Sequence, residues 1–370
     1  WVHDNIYYVP TQGSVQGAQD TLDKKSGNAV DTASLLIALL RASNIPARYA
    51  TGQVDIPTAQ ALNWVGGAQT VDAAQQIWGQ GGVNNVALVS GAQTKALRIE
   101  HTWVEALIQY HPGRGARHTP GQSQPDTWVP LDASYKQYTF KTGMDLQTAV
   151  PLDAQALLSA AQQGADTNPA EGWVRNLNTT ALQSQLSNCQ ARLKTYIDTQ
   201  KPNATVGDVI GKKIIPQTVH SVLAGVTPLA IIQTGQQTTA VPSALQHKFS
   251  YTLNDSGGSE LLTYTAPTSQ LVGKRLTLSY APADQATTDL IASYLPKPNA
   301  DGSPIRPDQL PTSLPGYLIR LKPQITLDGQ VVAQSTSVVT MGTDLQGQGG
   351  FTQLYDPSRS ISSRSRALVS

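Results

Sequence analysis

The chain of 370 residues holds a single cysteine, so no disulfide can form within it, and its redox compartment is left open. Charge is scarce as well. Only 14% of residues are Asp, Glu, Lys or Arg, and 26 basic against 25 acidic side chains leave a net charge of +1. That balance excludes the basic surface a nucleic acid would require. No apolar run approaches the roughly 20 residues of a membrane-spanning helix. Internal repeats and low-complexity tracts are missing too. The chain opens on Trp1 with no Met, signal peptide or transit peptide, and we expect a piece excised from a longer polypeptide.

Metal and phosphate signals are equally thin. "HPGRGARH" places His111 and His118 in one loop, but no cysteine or carboxylate cluster completes a ligand set. "LNDSGGSE" fits no calcium loop and reads as a hairpin turn. The glycines of "WGQGGVNN" lack the Lys-Ser/Thr of a phosphate loop, although their place before His101 would let them wall a cleft. No metal or other cofactor is expected.

What is present is enough apolar content, 39%, for two or three domains with their own cores. Residues 1–150 alternate short strands with helix and carry every candidate for chemistry. Residues 151–245 read as a helical and connecting region, with helices in "LDAQALLSAAQQGA" and "NTTALQSQLSNCQARLKTYIDTQ". Residues 246–370 turn to period-two alternation in "HKFSYTLN", "ELLTYT", "RLTLSY" and "GYLIRL", and "QITLDGQVVAQ" predicts a hairpin on Asp328-Gly329. The prolines of "LPKPNADGSPIRPDQLPTSLPG" mark a surface loop, and the tail "YDPSRSISSRSRALVS" reads as extended and polar. Cys189 falls on a helical stripe with Leu182, Leu186, Leu193 and Ile197, where a cysteine acts as a small buried hydrophobe.

Three segments of the first region deserve a chemical reading. In "SGNAVDTASLLIALLRASNIPARYATG", Val30 to Ser43 is apolar on nearly every face, the pattern of a buried central helix. Gly27 and Asn28 suit its entry, and Asn44-Ile45-Pro46 stops it. The mouth of such a helix carries free N–H groups and the positive end of the dipole, which favours a thiolate and can supply an oxyanion donor. The residue there is Ala29, which can neither attack nor ionise. Asp31 stands in the first turn, where a carboxylate stabilises a helix N-terminus. Arg41 and Arg48 flank the far end as structural partners. In "LRIEHTWVEALIQY", alternation puts His101, Trp103 and Glu105 on one face of a strand, with His101 able to act as a general base. In "DTWVPLDASY", Asp132 shares a face with Trp128 and Pro130 and can orient His101.

Taken in this order, the runs "GNAVDTASLLIALLRASNIPARY", "HTWVEA" and "WVPLDAS" resemble the transglutaminase-like superfamily. More narrowly, "YYVPTQGSVQGAQDTLDKKSGN", "LNWVGGAQT" and "NATVGDVIGKKIIPQ" resemble the transglutaminase-like modules of large secreted bacterial YD-repeat (Rhs-type) proteins. The resemblance covers most of the chain and is less firm beyond residue 246. It implies an α+β fold, a papain/transglutaminase-like domain with a buried helix packed on an antiparallel sheet, followed by a helical segment and a β-rich, sandwich-like domain. It also implies that Ala29 takes the nucleophile position, His101 the base and Asp132 the orienting acid, with Ala133 where proline is more usual. The parent chemistry is then cysteine-dependent acyl transfer on a peptide or glutamine carboxamide: a protease, self-processing in a toxin-like parent, or a transglutaminase or deamidase.

Retention of His101 and Asp132 favours an introduced Cys-to-Ala change over a natural loss. The competing reading is a non-catalytic binding or scaffolding module of a large secreted protein. The expected partner is a polypeptide substrate or a neighbouring segment of the same larger polypeptide, with no nucleic acid and no membrane span, at a secreted or cell-surface location.

Overall fold

The computed structural model describes residues 1–111, 115–117, 125–217, 223–297, 305–311, 313–352 and 360–368. His118, residues 298–304 and 312 of the proline-rich stretch, and residues 355–359, 369 and 370 of the tail lie outside them. The chain divides into two compact units, Trp1–Gln137 with Gln217–Ser370, and Tyr138–Pro216.

The first unit opens with helix α1 (Val2–Asn5), strand β1 (Tyr7–Tyr8), helix α2 (Gly17–Lys24) and strand β2 (Ser26–Gly27), with β1 and β2 paired in parallel. Helix α3 (Ala29–Ala42) follows. Its start is set by Asn28, whose side chain accepts a hydrogen bond from the Asp31 backbone N–H at 2.9 Å, as an N-cap should. Its end is set by Asn44 at φ 58°, a left-handed position that Asn tolerates, two residues before Pro46. The burial differs from the all-apolar pattern. Residues Ala29 to Leu35 and Ile37 are buried, but Leu39 is 40% exposed. Only the part of α3 nearest its mouth is central.

Strand β3 (Ala47–Pro57), helices α4 (Thr58–Trp64) and α5 (Val71–Gln80), and strand β4 (Asn85–Ser90) lead to β5 (Gln93–His111), the 19-residue spine of the sheet. Strands β6 (Gly115–Arg117) and β7 (Thr127–Leu131) complete this part. Along one edge of β5 runs β3, antiparallel, with Tyr49 opposite Val104 and Gly52 opposite His101. Along the other edge, β4 pairs as far as Ile99 and β7 begins at Val104. Residues 101–103 therefore fall in a gap between two partner strands. Both faces are covered, which explains why β5 is buried on successive residues. Leu97, Ile99 and Trp103 pack with Trp64 and Trp78, while Val104 packs with Ala33 and Ile37 of α3.

The second unit holds β8 (Thr139–Lys141), α6 (Leu146–Ala149), α7 (Ala154–Gln162), β9 (Asp166–Asn168), β10 (Trp173–Arg175), α8 (Thr179–Gln200), α9 (Val206–Ile210) and β11 (Lys212–Ile214). Strand β8 pairs with β11 and β9 with β10. Cys189 lies on α8, but half-buried rather than buried, on a helix with no buried residue.

The chain then returns to the first sheet. Strand β12 (Ala230–Thr238) pairs with β3, although the sequence reads as a connection there. Its pairing is interrupted between Ile231 and Gln233 and between Thr234 and Gln237. Gly52 lies opposite Thr234, between the two irregularities, and an added Cβ there would collide with the Gln233 carbonyl oxygen and Trp103 Cη2. Only glycine admits that approach. Beyond 246 lie β13 (Lys248–Asn254), β14 (Glu260–Pro267), α10 (Thr268–Leu271), β15 (Leu276–Pro282), α11 (Gln285–Tyr294), β16 (Arg320–Leu327), β17 (Gln330–Gln334), β18 (Val339–Thr340), β19 (Asp344–Thr352) and β20 (Ser360–Leu368). One sheet runs in the order β14-β13-β19-β20 and another β15-β16-β17, sharing a core that includes Leu253, Leu262, Ile325 and Leu345. The β16–β17 hairpin turns on Asp328 and Gly329, both at positive φ. Part of the tail read as extended is a paired strand, β20, opposite β19.

Candidate active site

His101 Nε2 lies 2.8 Å from Asp132 Oδ2, with both side chains only 2% exposed. The strand gap explains the meeting. Strand β7 ends at Leu131, opposite Val104, so Asp132 emerges beside the stretch of β5 that no strand covers on that edge. The other carboxylate oxygen, Oδ1, accepts from the Ser134 backbone N–H at 2.9 Å, the Ser134 hydroxyl at 2.8 Å and the Tyr135 N–H at 3.2 Å. Burial alone would raise the Asp132 pKa, but the charge and hydrogen bond of His101, with the Ser134 bonds, hold it below the ordinary 3.8. A charged Asp132 receiving Nε2–H leaves Nδ1 as the basic nitrogen of a neutral imidazole.

The ring of His101 is also held edge-on by Trp64, with centroids 5.3 Å apart at 82°. Trp64 donates its indole N–H to the Ser134 carbonyl at 3.0 Å and packs on Tyr8, centroids 4.8 Å apart. Tyr8 in turn pairs with Gly27, two residues before Ala29. Farther along α3, Leu35 joins Val2 and Ile6 in a cluster against which Ala133, next to Asp132, packs. Ala29, 9% exposed, is the first residue of α3.

The mouth of α3 is built by residues distant in sequence. Asn28 donates its side-chain amide to the Gly13 carbonyl at 2.6 Å and to Thr11 Oγ1 at 3.1 Å. Asp31, in the first turn of α3, also reaches beyond its own helix. Its carboxylate accepts from Ser14 Oγ and from the backbone N–H groups of Val15, Gln16 and Gly17, at 3.1 to 3.4 Å. It thus caps the start of α2 and ties that loop to α3. Burial raises its pKa, and the donated hydrogen bonds oppose the rise.

A cleft of about 320 Å³ reaches His101. Its walls come from β5 (Glu100, Thr102), β3 (Thr51, Gln53), β12 (Gln233, Gln236) and the strap Pro242, Ala244 and Leu245. The strap is joined to the loop before α2 by Ser14 N–H to the Leu245 carbonyl at 2.6 Å and by His247 Nε2 to the Gln12 carbonyl at 2.7 Å. Neither Ala29 nor Asp132 lines this cleft. The "WGQGGVNN" segment does not wall it either: Trp78 is a buried core residue and donates to the Tyr8 hydroxyl.

Arg41 and Arg48 are structural. Arg41 donates to the Ala47 and Thr239 carbonyls. Arg48 pairs with Glu105 at 2.8 Å and lies 3.9 Å over the Trp128 ring, so the Glu of "HTWVE" braces the sheet. His111 ends β5, exposed. Among the described residues no group of three or more His, Cys, Asp or Glu is placed to hold a metal ion.

Residues 1–133 match the family model described as the Transglutaminase-like superfamily. Ala29, His101 and Asp132 all fall inside that match, with Asp132 next to its end. The N-terminal part of the chain is therefore transglutaminase-like, whereas β12 and the strap that complete its cleft lie outside the matched residues. No curated protein and no solved structure matches the chain.

Three residues around the His101–Asp132 pair carry no signal in the sequence. Trp64 and Ser134 meet only through contacts spanning 70 residues. Lys136 is fully buried, against the ordinary behaviour of lysine.

Proposed function

We propose that this region is the catalytic part of a cysteine-dependent acyl-transfer enzyme, with position 29 as the place of the nucleophile, His101 as general base and Asp132 as its orienting acid. Ala29 then stands for an engineered Cys-to-Ala change and leaves this chain inactive. The observation that carries the reading is the buried His101–Asp132 pair, set in the stretch of β5 left open between β4 and β7. A thiolate at position 29 would be stabilised by the helix N-terminus and by protonated His101. It attacks the carbonyl carbon of a peptide or glutamine carboxamide, and His101 hands its proton to the departing amine or ammonia. Water or an amine then resolves the thioester, giving hydrolysis, deamidation or crosslinking. The substrate is a polypeptide, including a neighbouring segment of the same longer chain. A secreted bacterial YD-repeat parent, toxin-like in character, fits the sequence resemblance.

The test is Ala29→Cys, assayed for ammonia release from a glutamine peptide and for cleavage of a casein-type polypeptide. Turnover that disappears with His101→Ala supports the reading. Ala29 itself favours a second reading, a natural binding or scaffolding module that has lost its nucleophile. A folded Ala29→Cys protein with no turnover on either substrate supports that alternative.

A further inference from the structure

Lys136 is a fully buried lysine one turn after Asp132. Its ammonium donates to the backbone carbonyl of His3 in α1 and to that of Ala133 at 2.6 Å. Among the described residues no carboxylate lies within ion-pair distance of it. A buried cation without a paired anion is costly, and packing alone would be served as well by a methionine. The two carbonyls show what the cation holds together: the last element before β1 and the turn that presents the Asp132 carboxylate. The charged groups around it are Asp132 on its own turn and Asp4 on α1, the latter bonded to His3 Nδ1 at 2.8 Å.

We propose that Lys136 is a positioning residue for the candidate catalytic pair: by clamping α1 to the 132–136 turn, it fixes the orientation in which Asp132 receives the His101 hydrogen bond. The inference rests on the functional reading above for its importance to catalysis, but not for its geometry. Ala133 is the residue next to Asp132, and its carbonyl is held by the same ammonium that holds α1. Ser134 and Tyr135, between the clamp and the carboxylate, supply the N–H groups on Asp132 Oδ1. Release of the clamp therefore loosens the turn that directs Asp132 Oδ2 toward His101.

The experiment uses the Ala29 chain, so that it does not depend on activity. The His101 ring is titrated by NMR in the parent, in Lys136→Met and in Lys136→Arg, with circular dichroism and thermal melting of each. Loss of positioning weakens the Asp132 hydrogen bond to the imidazolium, so Lys136→Met lowers His101 proton affinity by about tenfold, one pKa unit. It also removes the low-field ring N–H signal. Lys136→Arg keeps the cation and the donors and stays near the parent value. A lysine acting only as a nearby charge predicts the opposite sign, a rise in His101 proton affinity when it is removed. A purely structural lysine predicts a lower melting temperature with an unmoved titration. Either result overturns the proposal. Should Lys136→Met not fold, Lys136→Gln is read in the same way. An inert Ala29→Cys protein that still shows the Lys136→Met titration shift would refute the catalytic reading and leave the positioning intact.

Discussion

His101 and Asp132 are buried partners, so removing one strands the other. His101→Ala leaves a desolvated carboxylate with only the turn donors, and we expect a loss of about 3 kcal/mol in unfolding free energy by urea titration. The pH dependence has a definite sign. The folded pKa of Asp132 is depressed, so its stabilisation is full above the ordinary carboxylate range and is lost as pH falls through the folded value. The melting-temperature gap between the parent and Asp132→Asn should accordingly shrink between pH 6 and pH 3. Lys136 behaves in the opposite range. Desolvation drives its pKa from a lysine's ordinary 10.5 to about 7, against the pull of Asp132 and Asp4. The unfolded chain binds the proton more tightly, so stability rises with pH between about 7 and 10.5, by up to about 5 kcal/mol at about 1.4 kcal/mol per unit. Lys136→Met should flatten that slope. His101 and Asp132 were legible because each sits in a strand motif with a chemical signature. Lys136 was not, because nothing local distinguishes a clamp to residue 3 from a solvated surface lysine.

At the scale of elements, the mouth of α3 is a joint as well as a cap. Asn28 holds the 11–13 segment and Asp31 holds the start of α2, so the stretch from residue 11 to α2 hangs from one helical turn. Asp31→Ala would leave several buried donors unpaired, and we expect a loss of about 2–3 kcal/mol, measured by denaturant unfolding. Asp31→Asn, which keeps an acceptor oxygen, should lose less. The helix itself was readable from Asn28, the apolar run and Pro46. Its exposed end was not, since Leu39 looks the same in sequence whether or not another element covers it. Strand β12 escaped for a related reason: "AIIQTGQQT" is mostly polar and exposed, and it is a strand because β3 offers an open edge, which no local pattern records.

For the molecule as a whole, the family match ends at residue 133, but the sheet and the cleft do not. β12 and the strap at 242–245 come from beyond residue 216 and complete the same compact unit. A fragment of residues 1–150 would expose the edge of β3, and we expect it to aggregate or to lack a cooperative melting transition, whereas the full chain melts cooperatively. Gly52→Val tests the same junction by a smaller change. The added side chain meets the Gln233 backbone, and β12 must detach or shift, seen as lost protection of the 230–238 amides in hydrogen exchange. The general α+β character of the first region was legible because its helix and strands have strong periodicity. The return of a strand from a distant segment was not.

The claim that position 29 is a nucleophile's place is tested most directly by the pH–rate profile for alkylation of Ala29→Cys with iodoacetamide, followed at each cysteine by mass spectrometry. Residue 29 should be modified stoichiometrically near neutral pH, faster than Cys189, with an apparent thiol pKa well below the ordinary 8.5 and a shift back toward it in His101→Ala. A folded Ala29→Cys protein whose new thiol reacts no faster than Cys189, with a profile unchanged by His101→Ala, would contradict it.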